Sequence, residues 1–305
     1  MDLYYYHSSH GNFGDDLNTW IWDALLPGWR AAWPGTTLVG VGTLINNGLP
    51  RGMPKLVVGS GLGYGAVPDA ALMAECRFVS VRGPRSAAGL GLAPDKGIID
   101  PAIMLPELPG FQNLPRTGRP VFVPHQASMF RQDWAQLCDR AGFDFVSPGE
   151  EARTVIRRLA TAPMVLAESM HAVIIADAFG TPWHGVSISH LFNGAKWLDW
   201  ADSVGVTPRI EPLYPWIDRA MKRLSKPGRP SAATGVAAVS EDKIAPDAMP
   251  LKRRIRHAVE AWQTESALRR FLDRPGQLSD RAVLAAAQAR YRAVLADLRA
   301  EMAKG

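Results

Sequence analysis

Four times in its first 115 residues the chain repeats one short pattern, and that pattern leaves few folds open. Leu3–Tyr6, Thr37–Val41, Lys55–Val58 and Arg77–Val81 are brief apolar runs. Each is followed by a glycine-bearing turn: Gly11-Asn12-Phe13-Gly14-Asp15-Asp16, Gly40-Val41-Gly42, Gly59-Ser60-Gly61 and Arg82-Gly83-Pro84-Arg85-Ser86. Continuous apolar runs of this length read as strands buried on both faces of a mostly parallel sheet. In open α/β sheets the loops leaving the strands line the ligand crevice, and glycine lets the backbone come close to a ligand. The glycine turns therefore mark one common edge.

A Pro- and Gly-rich stretch, Pro106–Pro120, ends this unit, and a second begins with the strand Pro120–Pro124. A helix is expected near Arg131–Ala141, a strand at Phe143–Val146, a helix near Glu151–Leu159, a strand at Met164–Ala167 and a helix over Ser169–Phe179 closed by Gly180 and Pro182. Alternating strands and helices in both halves predict an α/β protein of two Rossmann-like domains, residues 1–115 and 116–224, facing a cleft. At 305 residues the chain is long enough for two such cores. Residues 225–250 turn to Pro, Gly, Ser and Ala and read as a linker, and 251–305 as a C-terminal helical extension. In the first tail helix Leu251, Ile255, Val259 and Trp262 share a face; in the second Leu284, Tyr291, Leu295, Leu298 and Met302 do. Both stripes predict docking on the body or on a partner. The basic cluster Lys252, Arg253, Arg254 and Arg256 suits acidic lipid headgroups instead.

Composition narrows the classes. With 47% apolar and 21% charged residues the chain is not disordered, and a formal charge of +5 favours an anionic partner. Charge alone does not choose between a phosphorylated substrate, an acidic surface and nucleic acid. Cys76 and Cys138 lie far apart in apolar stretches, predicting buried thiols and no disulfide framework. The start, Met1–Tyr6, lacks a basic leader, and no window approaches the roughly 18 apolar residues of a membrane span. The expected location is the cytoplasm.

Several residues suit anion chemistry. Glu168 and His171 fall at a strand-to-helix turn, where free backbone N–H groups and the helix dipole attract anions and where Ser169 is placed to cap. The same residues also serve as an ordinary cap and a packed histidine. Arg82 and Arg85 follow a buried strand, and a guanidinium there can grip a carboxylate or phosphate through paired hydrogen bonds. Lys196 stands between Trp197, Trp200 and glycine as a point charge for phosphate. In the first loop Asp15 and Asp16 repel an anion but suit sugar hydroxyls, or removal of a proton from one. His184 and His190 lack partners at metal spacing, so no metal is expected.

Taken in order, these segments resemble the polysaccharide pyruvyl transferase family, in its bacterial exopolysaccharide branch. The matching residues are Gly11–Asn18, Val39–Thr43, Gly59–Gly61, Val81–Ala87, Asp100-Pro101-Ala102, Glu168–Ala172, Ala176-Asp177 and Lys196–Trp200, with Gln277–Asp280 in the tail. The resemblance implies a fold like the two-domain GT-B glycosyltransferases and a donor, phosphoenolpyruvate, that needs no further cofactor. It implies that Arg82, His171 and Lys196 bind that donor. His171 is the expected general acid with Glu168 as its partner, and Asp15, Asn12, Gly14 and Ser60 belong to the substrate-binding loops. Many members have Arg-Leu-His where this chain has Ser169-Met170-His171, which leaves Arg85 or the helix N-terminus to compensate. The implied acceptor is a saccharide, free or lipid-linked at the inner face of the membrane, and nucleic acid is not expected. A sugar-nucleotide glycosyltransferase on the same architecture and a non-catalytic carbohydrate- or membrane-binding protein are the competing readings.

Overall fold

The computed structural model describes residues 1–189, 192–214 and 251–304, with side chains in the last stretch from Val259 onward. The segment expected to be a linker lies outside the described residues.

The first sheet contains β1 (Asp2–Tyr4), β2 (Thr37–Val39), β3 (Lys55–Val58) and β4 (Cys76–Ser80), all parallel and in sequence order. These are the four predicted apolar runs. Their sequential order differs from the doubly wound arrangement, in which the chain reverses direction across the sheet. The second sheet contains β5 (Val121–Val123), β6 (Asp144–Phe145), β7 (Val165–Ala167), β8 (Trp183–Ser187) and β9 (Ile210–Pro212), parallel in the order β6-β5-β7-β8-β9. Here the order does reverse, between β5 and β7. Open α/β sheets bind ligands just beyond such a switch point.

The helical segment after the first glycine loop is broken. It runs as α1 (Phe13–Asp16), a 3-10 turn and α2 (Ile21–Leu25). Asn18 explains the break. Its buried amide donates to the carbonyls of Asp15 and Val41 and its oxygen accepts from Val41 N and Trp22 Nε1, tying this segment to the loop after β2. Between β3 and β4 lies α3 (Ala70–Ala74), and α4 (Pro84–Gly89) follows β4 with proline at its first position, where no N–H is needed. In the second unit α5 (Trp134–Ala141), α6 (Ala152–Thr161), α7 (Met170–Ala178) and α8 (Gly194–Ser203) alternate with the strands.

The tail helices are α9 (Leu251–Arg269) and α10 (Arg281–Met302). Between them, Trp183 and Gln277 exchange backbone hydrogen bonds, and Asp177 accepts from Ser279 and Arg281. These contacts fasten the chain to the second sheet before α10 reaches the first. There Leu284, Ala287, Tyr291, Leu295 and Leu298 are buried in the main core, and Tyr291 donates its hydroxyl to Val58 O at 3.3 Å. The α10 stripe thus docks on the body as expected, whereas the described part of the α9 stripe does not, and the side chains of Leu251 and Ile255 lie outside the described residues. Val259 and Trp262 are 46% and 68% exposed, and the helix packs through Thr264, Ala267 and Leu268 beside Trp134 and Leu137 of α5. The buried-thiol expectation also holds only in part: both cysteines are free, Cys138 is buried, and Cys76 is half-buried at the start of β4. Among the described residues no helix is long and apolar enough to cross a membrane.

Candidate active site

The switch point of the second sheet carries His125 just beyond β5 and Glu168, Ser169 and His171 just beyond β7. Glu168 is buried and accepts three backbone N–H groups: His125 at 3.1 Å, Ile188 at 2.8 Å and Ser189 at 3.0 Å. It therefore ties the exits of β5, β7 and β8 together, and its hydrogen bonds do not reach His171. Ser169 caps α7, accepting from Ala172 N at 3.4 Å. His171, in the first turn of that helix, projects across to the elements that follow the first sheet's strands. Its ring lies over Gly14 of α1 so closely that a Cβ at position 14 would overlap Nδ1, and its Nε2 is 3.8 Å from Asp100 Oδ2.

On the facing side, Asp15 of α1 is buried and accepts from Asn12 Nδ2. It rests against Gly42, whose φ of +115° suits glycine and where a Cβ would stand 2.7 Å from Asp15 Oδ1. Ser60 holds this loop from beneath, donating its hydroxyl to Gly42 O and accepting from Leu44 N, both at 3.1 Å. Being fully buried in that role, Ser60 shapes the loop under Asp15.

Lys196, on α8, is buried to 8% exposure and donates to the Tyr64 hydroxyl at 2.9 Å, with its ammonium 5.2 Å from that ring's centre. Arg82 is fully buried. Its Nε donates to Asp199 Oδ2 at 3.0 Å, Nη1 to Thr43 Oγ1 at 2.7 Å and Nη2 to Leu62 O at 2.7 Å. Asp199 also accepts from the backbone and hydroxyl of Ser86, so the start of α4 is pinned to α8 one turn from Lys196. Arg85 stands apart. It is half-exposed and pairs with Asp202 at 2.7 Å, on the outer side of the same contact.

Charge and burial act on one another here. Burial pushes Asp15 from 3.8 up to about 7, against the pull of Lys196 and Asn12, with Asp16 and Asp100 adding repulsion. Burial likewise pushes Asp100 up to about 6, opposed by the Ala102 N–H and Arg82. His171 is held down to about 3 by burial first, then by Lys196, Arg82 and His125, and His125 to about 4 by burial and Lys196. Seven titratable groups from the ends of both sheets therefore influence one small volume, a concentration characteristic of functional sites. The sequence reading found Asp15, His171, Lys196 and Arg82 of this set. It missed His125, Asp100 and Tyr64, although His125 directly follows the predicted strand and Asp100 was among the family-like segments. Among the described residues no group of three His, Cys, Asp or Glu side chains is arranged to hold a metal ion.

The charge on Asp15 gives a direct test. The native state keeps a proton that the unfolded chain releases above about 4, so this burial favours folding in acid and loses that advantage as pH rises through about 7. Asp15→Asn has no charge to bury. It is expected to raise Tm at pH 8 by roughly 2–4 °C or more and to change it little at pH 4. Calorimetry at the two pH values checks this, and an equal gain at both removes charge burial as the cause.

The sequence has relatives. The sequence profile of the polysaccharide pyruvyl transferase family matches residues 12–190. The succinoglycan biosynthesis protein ExoV of Rhizobium meliloti (strain 1021) is 50% identical over 216 residues, 70% of this chain and 68% of its own length. No solved structure matches. The family profile runs through the loops that carry Asp15, Asp100 and His171, and by these matches the chain belongs to the polysaccharide pyruvyl transferase family and is a transferase.

Proposed function

We propose that the chain moves the enolpyruvyl group of phosphoenolpyruvate onto two hydroxyls of one sugar in an exopolysaccharide or its lipid-linked precursor, closing a cyclic ketal. The observation that carries this reading is the meeting of Lys196, His171 and His125 from one lobe with Arg82, Asp15 and Asp100 from the other. A donor with a carboxylate and a phosphate needs cations in a desolvated place, and ketal formation needs an acid and a base a few ångströms apart. We take the lobe of residues 1–115 as the acceptor side and that of 116–224 as the donor side of a GT-B-like pair working in the cytoplasm. Contact of the basic tail segment with the inner membrane surface would suit a lipid-linked acceptor.

In this scheme Lys196 holds the donor's phosphate, and Arg82 adds positive potential while keeping α8 in place. His171 gives a proton to the methylene carbon. The first sugar oxygen bonds to the now cationic C2 and its proton passes to Asp15, whose elevated pKa suits a base near neutrality. The C2–O bond to phosphate then breaks, phosphate departs, and the second sugar oxygen closes the ring as its proton leaves to solvent. Asn12 orients Asp15 through their hydrogen bond.

The test is phosphate release from phosphoenolpyruvate against a panel of glycans bearing free diols, with thermal shifts measured in parallel. Release with at least one diol, and stabilisation by phosphoenolpyruvate, are the expected results. Stabilisation by nucleotide sugars alone would replace this reading with a glycosyltransferase. Carbohydrate binding that survives His171→Ala, with no phosphate released, would point to a binding protein.

A further inference from the structure

His171 and Asp100 face each other from opposite lobes, each with one atom unused. His171 Nε2 and Asp100 Oδ2 are buried, 3.8 Å apart, and neither has a hydrogen-bond partner. Folded interiors rarely leave such atoms unpaired, so each case calls for an explanation. Among the described residues the other buried side-chain atoms without partners are indole N–H groups and serine hydroxyls, and this facing pair alone is ionisable. Asp100 cannot turn away freely. Its Oδ1 accepts from Ala102 N at 3.0 Å and caps the 3-10 helix Pro101–Glu107, which fixes the carboxylate plane. The other ring nitrogen of His171, Nδ1, lies over Gly14 beside Asp15.

A general acid at position 171 must hold a second proton in a place that disfavours it. Lys196 on α8, Arg82 after β4 and His125 after β5 all oppose an imidazolium, as burial does. Asp15 on α1 and Asp199 on α8 are acidic groups nearby, but burial keeps Asp15 only partly ionised near neutrality and Asp199 is spent on Arg82 and Ser86. Asp100 is the remaining carboxylate close to the ring.

We propose that Asp100 is the positioning residue for His171: its Oδ2 accepts the Nε2 proton, fixing the imidazole's tautomer and leaving Nδ1 to carry and deliver the catalytic proton. The distance is longer than a hydrogen bond and closes when the donor enters, as catalytic hydrogen bonds commonly do on substrate binding. Nδ1 takes a proton from solvent, passes it to the methylene carbon and returns to the neutral form, while Asp100 exchanges none and balances the charge of the imidazolium. The role depends on the reading of His171 as the general acid.

Asp100→Asn separates this role from capping. Asparagine keeps the Oδ1 acceptor and caps as well as aspartate, but it places a donor opposite Nε2. Nitrogen-15 NMR of the histidines, assigned with His171→Gln, is expected to show His171 as the Nε2–H tautomer in the native protein and as Nδ1–H in Asp100→Asn. Phosphate release should fall in kcat by about 10²-fold or more, with KM for phosphoenolpyruvate within about threefold. An Nδ1–H tautomer in the native protein overturns the proposal whether or not the variant folds, and so does a variant with native kcat. If the native protein releases no phosphate with any diol, the donor reading fails and the tautomer comparison alone decides the pairing.

Discussion

Alanine at position 171 is expected to lower kcat for phosphate release by about 10²–10⁴-fold, the range that a positioned acid supplies, while phosphoenolpyruvate still stabilises the protein against heat. Alanine at 196 should do something different. In the proposed scheme Lys196 meets the donor before and during reaction, so its loss is expected to raise KM by about 10- to 100-fold, the worth of a charge-assisted hydrogen bond, with a smaller effect on kcat. Steady-state kinetics at saturating diol distinguishes the two patterns. The assignment rests on both residues lying in one desolvated place: His171 is pushed towards the neutral form by Lys196 as well as by burial. If both variants fold and turn over phosphoenolpyruvate at the native rate, the chemistry happens elsewhere.

Much of this site was legible because strand exits are. Four apolar runs followed by glycine turns placed Asp15 and Arg82 on one edge, and the strand before Glu168 placed His171 on another. Partner identity was not legible. Asp100 lies 71 positions before His171 in sequence, and a capping pattern at Asp100-Pro101 gives no sign that its second oxygen points at that ring. Glu168 looked like a partner for His171 because three residues separate them, yet the nearer claims on its carboxylate are the N–H groups left open at the ends of β5 and β8. The α9 stripe shows a second limit. Val259 and Trp262 are periodic and apolar, but it is Thr264, Ala267 and Leu268 on the adjoining face that are buried against α5. Periodicity reports an apolar face, whereas fit to the neighbour decides which face is buried.

Arg82→Met is expected to cost about 3–5 kcal/mol of stability, because it leaves Asp199 buried without its ion partner. The loss should be visible in urea as a lower midpoint with an unchanged slope. Adding Asp199→Asn removes the orphaned charge while keeping an acceptor for Ser86 N, now 2.8 Å from Asp199 Oδ1, so most of the stability is expected to return. Donor affinity should not return with it. Arg82 influences the titration of His171 and of Asp100, so it lies close enough to the reacting volume to favour an anion there, and the double variant still lacks that cation. The two functions of Arg82, holding α8 against α4 and adding positive potential to the site, are therefore separable by one pair of measurements. A double variant with native stability and native KM for phosphoenolpyruvate would reduce Arg82 to a latch and leave Lys196 as the principal cation for the donor.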